Sequence, residues 1–120
     1  MRFRKMLVAA AALVIPATAF AWHNHLTKSA PAADATVTEA PKEIRLWFAE
    51  TVESKFSSIS LLTADSTKLE IGKARSTDDP LSIAADPAKP LSPGNYMVIW
   101  RTAGDDGHAV RGRFSFTVGK

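Results

Sequence analysis

The stretch Leu91–Lys120, LSPGNYMVIWRTAGDDGHAVRGRFSFTVGK, decides the fold. After a turn at Pro93-Gly94, Tyr96, Val98 and Trp100 fall on one side of the chain and Met97, Ile99 and Arg101 on the other, the period-two pattern of a half-buried strand. A second strand is predicted over Arg113–Val118, where Phe114, Phe116 and Val118 share a face. The polar loop Gly104-Asp105-Asp106-Gly107-His108 joins them. Asp106 and His108 therefore stand at the junction of two apolar strands.

Working outward, Pro41–Glu50 (PKEIRLWFAE) alternates clearly, with Ile44, Leu46 and Phe48 opposite Arg45 and Trp47. Ser58–Thr63 reads as a strand through Ile59 and Leu61, and Lys68–Lys73 and Leu81–Ala85 as shorter ones parted by a loop at Ser76–Pro80. Thr27–Ala33 contains prolines that suit an edge strand better than a helix. Asp34–Ala40 reads as a turn, and Thr51–Phe56 changes the chain's direction. Pro87, Pro90 and Pro93 exclude a helix before the final hairpin. About seven short strands with regular turn signals and no sustained helical period describe an all-β chain, a β-sandwich of immunoglobulin-like or Greek-key type. No Cys-Trp-Cys signature is present, so an antibody-type domain is excluded.

The chain has 120 residues, 46% hydrophobic and 22% charged, which suits one globular domain. Its first 21 residues have the three parts of a secretory signal: Arg2, Arg4 and Lys5, the apolar run Met6–Ile15, and the small-residue site Ala19-Phe20-Ala21. That run is short for a membrane span. Residues 1–21 are thus expected to be removed, leaving a domain over 22–120 with no membrane anchor. Of the 15 basic residues, three lie in that leader, leaving 12 against 12 acidic ones. A near-neutral mature chain gives no support for nucleic acid or anionic lipid as a partner. With no cysteine, it has neither a disulfide nor a thiolate to act as nucleophile or soft metal ligand.

The residues that carry chemistry are His23, His25, Asp106 and His108. Neutral imidazole favours copper and zinc, and a carboxylate two residues away can share the ion. A freshly cleaved α-amine adds a nitrogen donor whose proton a bound cation displaces. The bland alternative is that Asp106-Gly107 serves a hairpin turn and that His108 and the terminal histidines are simply solvated. Met97 lies in an apolar strand and reads as core, and one methionine without cysteine makes no thioether-rich Cu(I) site. Trp47 and Trp100 read as core or rim aromatics. No phosphate loop or nucleophile elbow is evident.

In order along the chain, His23-Asn24-His25-Leu26, Ser29-Ala30-Pro31-Ala32, Ile44–Glu50, Pro93-Gly94-Asn95-Tyr96, Trp100-Arg101, Asp106-Gly107-His108 and Gly112–Val118 resemble the CopC family of periplasmic copper-binding proteins. The resemblance implies a seven-stranded Greek-key β-barrel or sandwich. It also implies a Cu(II) ion held by a terminal histidine through amine and imidazole, by an aspartate, and by the histidine of the Asp-Gly-His motif. Those positions are His23, Asp106 and His108, with His25 as an additional or exchangeable ligand. The family's methionine-rich Cu(I) site has no counterpart. One departure is that the small-residue rule places cleavage after Ala21, which leaves Trp22 ahead of His23.

The function expected is therefore that of a non-catalytic periplasmic Cu(II) carrier, monomeric, which buffers, stores or delivers copper. Its expected partner is a CopD-type inner-membrane copper transporter. Two other readings stay open: a copper mono-oxygenase with a histidine-brace-like site, and a metal-free exported immunoglobulin-like module.

Overall fold

A computed structural model describes residues 24–104 and 106–120. The expected leader, its cleavage site, Trp22 and His23 lie outside the described residues. Nine strands are formed among the described residues: β1 (Leu26–Ala30), β2 (Thr36–Val37), β3 (Ile44–Phe48), β4 (Ser58–Thr63), β5 (Lys68–Leu69), β6 (Arg75–Ser76), β7 (Ser82–Ala85), β8 (Gly94–Ala103) and β9 (Ala109–Val118). A single 3-10 turn, Ser54–Phe56, is the helical element among the described residues. The strands make two sheets, in the orders β1-β3-β7-β6 and β2-β9-β8-β4-β5. The chain is all-β, as expected.

Alternation sets which side chains fill the space between the sheets. In β3, Ile44, Leu46 and Phe48 are buried, while Arg45 and Trp47 lie on the outer face, where Trp47 is flanked by the Lys28 ammonium at 4.4 Å and the Arg45 guanidinium at 4.9 Å. The second sheet answers with Ile59, Leu61, Tyr96, Val98, Trp100, Phe114, Phe116 and Val118. Edge-to-face packing of Phe48 on Trp100, with ring centroids 5.2 Å apart, joins the sheets near one end. Towards the other, Tyr96 stacks on Phe116 and its hydroxyl donates to the Ser92 carbonyl at 2.5 Å, pinning the entry to β8 as in the tyrosine corner of sandwich folds.

The count of nine corrects the expected seven, and the additions are two-residue strands. Asp34–Ala40 is more than a turn, because β2 runs parallel to β9 with backbone bonds from Asp34 N to Ser115 O and from Thr117 N to Ala35 O. Lys68–Lys73 pairs with β4 only as far as Leu69; Ile71 then bridges to Pro87 as the chain crosses to the first sheet. There Arg75–Ser76 becomes β6 and pairs with β7. Two-residue pairings leave no hydrophobic period to read, since the neighbouring strand creates them. Met97 is half-buried on the outer face rather than in the core, because the alternation that buries Tyr96 and Val98 turns it outward.

Gly112 faces Trp100 across the β8–β9 ladder. A Cβ at residue 112 would stand 2.6 Å from Cζ2 and 2.8 Å from Cε2 of the indole, a ring buried against Phe48. Gly112→Ala is accordingly expected to cost about 1–3 kcal/mol of stability through overpacking. Denaturant unfolding of the metal-free variant checks this, and an unchanged midpoint would show that the ring has room to move.

Candidate metal centre

The strands β8 and β9 pair without interruption up to Ala103 and Ala109, so the five-residue connection between them is held on a rigid base. Gly104 N–H donates to the His108 carbonyl at 2.9 Å, and Gly107 N–H to the Gly104 carbonyl at 3.0 Å. Gly107 has φ +86°, a left-handed conformation that favours glycine. The Asp-Gly pair thus serves the turn, as the bland reading held.

Asp106 does more than turn the chain. Its Oδ1 accepts the His108 backbone N–H at 3.0 Å, and its Oδ2 lies 2.8 Å from Nδ1 of the same imidazole. The His108 backbone N–H, followed by the His108 side chain, holds the Asp106 carboxyl below its usual range. An ionised carboxylate only accepts hydrogen bonds, so Nδ1 carries the shared proton, and in the neutral form of the ring Nε2 keeps its lone pair. A carboxylate that fixes tautomer and ring direction in this way is the usual outer partner of a metal-binding histidine. The His108 side chain is 64% exposed, so that nitrogen is open to an incoming ion.

The amino-terminal segment reaches the same end of the sandwich. Leu26 pairs with Phe48, so His25 lies beyond the level where Phe48 meets Trp100. Three residues past Trp100, β8 ends and the Asp106–His108 loop begins. The connection from β3 to β4 spans this end. Asn24 binds Glu50 at its start, and Ser57 meets Thr102 hydroxyl to hydroxyl at 2.8 Å at its finish. A hollow of about 440 Å³ between Lys55, Phe56, Ser57, Arg101, Gly104 and Gly107 adjoins the loop.

Asp106 and His108 are therefore brought together, His25 immediately precedes β1 at the same end, and His23 lies outside the described residues. Among the described residues, no three His, Cys, Asp or Glu side chains converge as a complete metal site. Sequence reasoning missed Asn24, which is 5% exposed and carries three hydrogen bonds. Its position between two histidines gave no signal of burial.

Residues 26–119 match the family model described as CopC domain. The chain is 37% identical over 97 residues to Protein YobA of Escherichia coli strain K12, a match that covers 80% of this chain and 78% of that one. It is 36% identical over 118 residues to Copper resistance protein C of Xanthomonas campestris pv. juglandis, covering 93% and 91%. The crystal structure of CopC from Methylosinus trichosporium OB3b matches with a TM-score of 0.74 at 33% identity, over 81% of this chain and 94% of that one. A sandwich that presents Asp106 and His108 on its end loop, matched over nearly all its described length by that family model, places this chain in the CopC family.

Proposed function

We propose that this protein is an exported Cu(II) carrier of the periplasm, a binding protein and not a catalyst, serving copper resistance and homeostasis by buffering, storing or delivering the ion. The single observation that carries this is the Asp106–His108 pair, which leaves Nε2 of a preoriented imidazole open at the end of the sandwich where the amino-terminal histidine segment begins. Residues 1–21 are the signal and 22–120 the mature domain, beginning at Trp22 or His23. The ligands are His23 with the terminal amine, His108 and Asp106, with His25 exchangeable. A mixed nitrogen and oxygen set suits tetragonal Cu(II). Copper passes to a CopD-type inner-membrane transporter. The carrier is monomeric, in keeping with the few large apolar residues exposed among the described ones, Phe56, Leu81 and Ile99.

Electron paramagnetic resonance of the naturally processed protein with one equivalent of Cu(II), alongside its intact mass, tests this directly. A tetragonal spectrum with nitrogen hyperfine structure is expected. A spectrum of aquated Cu(II) would remove the site.

Asp106→Asn keeps an oxygen for the His108 backbone N–H but loses both an anionic ligand and the charge that fixes the ring's tautomer. A fall of at least about 10–100-fold in Cu(II) affinity is expected, measured by competition with a chelator. Affinity within twofold of the unaltered protein would show that Asp106 serves the turn alone.

A further inference from the structure

A terminal peptide with a nearby histidine has a second way to hold Cu(II). Amine, intervening backbone amide nitrogens stripped of their protons, and imidazole can close consecutive chelate rings in one plane, a tetragonal all-nitrogen set that Cu(II) favours. The segment His23-Asn24-His25 has the composition for this when the mature chain begins at His23, with the amide nitrogens of Asn24 and His25 standing between the amine and the His25 imidazole. Such a chelate would satisfy the ion without His108, and it requires the His25 amide nitrogen to face the metal.

The structure turns that nitrogen elsewhere. His25 N–H donates to Asn24 Oδ1 at 3.0 Å, and the same oxygen accepts Glu50 N–H at 2.8 Å. Asn24 Nδ2 donates to the Glu50 carbonyl at 3.0 Å, and the His25 carbonyl accepts Ala49 N–H at 3.0 Å. Asn24 is itself buried, so rotating the His25 amide towards a metal would leave polar groups at that spot unpaired. Resting on the copper reading above, we propose that Asn24 is a positioning residue that denies the terminal peptide the self-contained chelate and keeps it for an ion shared with His108.

The test uses naturally processed protein with one equivalent of Cu(II), read by visible absorption and electron paramagnetic resonance, with a synthetic peptide of the mature terminus through Leu26 as the chelate standard. The unaltered protein should give a spectrum unlike the peptide's, and His108→Ala should change it. Asn24→Ala should shift the spectrum to the peptide's and abolish its response to His108→Ala. Asn24→Asp, which keeps the acceptor for the His25 and Glu50 N–H groups but loses the donor to the Glu50 carbonyl, should stay closer to the unaltered spectrum than Asn24→Ala does. A purely structural role for Asn24 would lower the unfolding midpoint and leave the copper spectrum alone, which overturns the proposal. So does a peptide-like spectrum from the unaltered protein, a result that needs no variant to fold. If the unaltered protein binds no Cu(II), the carrier reading falls and this role falls with it; binding that responds to His108→Ala but not to Asn24→Ala removes this role alone.

Discussion

His108→Ala is expected to weaken Cu(II) binding by at least about 100-fold, since loss of a ligand should exceed the 10–100-fold typical of losing an outer partner. The imidazole is the described donor that is both preoriented and open, through the Asp106 contact at Nδ1. Its removal also leaves Asp106 without the ring it orients. The fold should not suffer, because an exposed loop side chain replaced by alanine usually changes stability by no more than about 0.5 kcal/mol. Competition titration and unfolding of the metal-free protein, taken together, therefore separate binding from folding. Affinity within threefold of the unaltered protein would mean that the ion, if bound, sits elsewhere.

Phe48→Ala is expected to be the most damaging core substitution for folding, with a loss of about 3–5 kcal/mol. Phe48 is 1% exposed and is the last inward residue of β3, where it meets Trp100 edge to face. Trp100 in turn covers Gly112, so the cavity left by Phe48 cannot close without moving a ring that is wedged on its other side. Against a total stability of about 5–15 kcal/mol, such a loss brings the domain near its limit. Denaturant unfolding without metal should show a lower midpoint at unchanged slope. Cu(II) at 1,000 times its dissociation constant would restore about 4.1 kcal/mol if only the folded protein binds it. A loss below about 1 kcal/mol would show that the two sheets are not keyed together at Phe48–Trp100.

These two substitutions lie toward the same end of the sandwich for a reason that β-sandwich topology supplies. The aromatic contact sets the level at which β3 and β8 are held, and the amino terminus and the β8–β9 loop both continue past it. Core packing thereby fixes the relation between segments some 80 residues apart in sequence. A variant that loosens the contact while remaining folded should bind copper less well than one altered at the distant Tyr96–Phe116 stack.

Much of this was present in the order of the residues. The alternation in Ile44–Phe48, Ser58–Thr63 and Tyr96–Val118 determined the long strands and their buried faces, because a strand with one face in the core must place apolar groups at every second residue. The spacing of Asp106, Gly107 and His108 determined a turn that holds a carboxylate beside an imidazole, since that contact is local. Only the tertiary structure decided the short strands β2 and β6 and the early end of β5, since these residues pair only as far as a neighbour is present. It alone also buried Asn24 against Glu50, a contact across 26 residues that no local pattern encodes. Local chemistry is written in neighbouring residues, whereas a buried polar clamp exists only once two distant stretches of chain have been folded against each other.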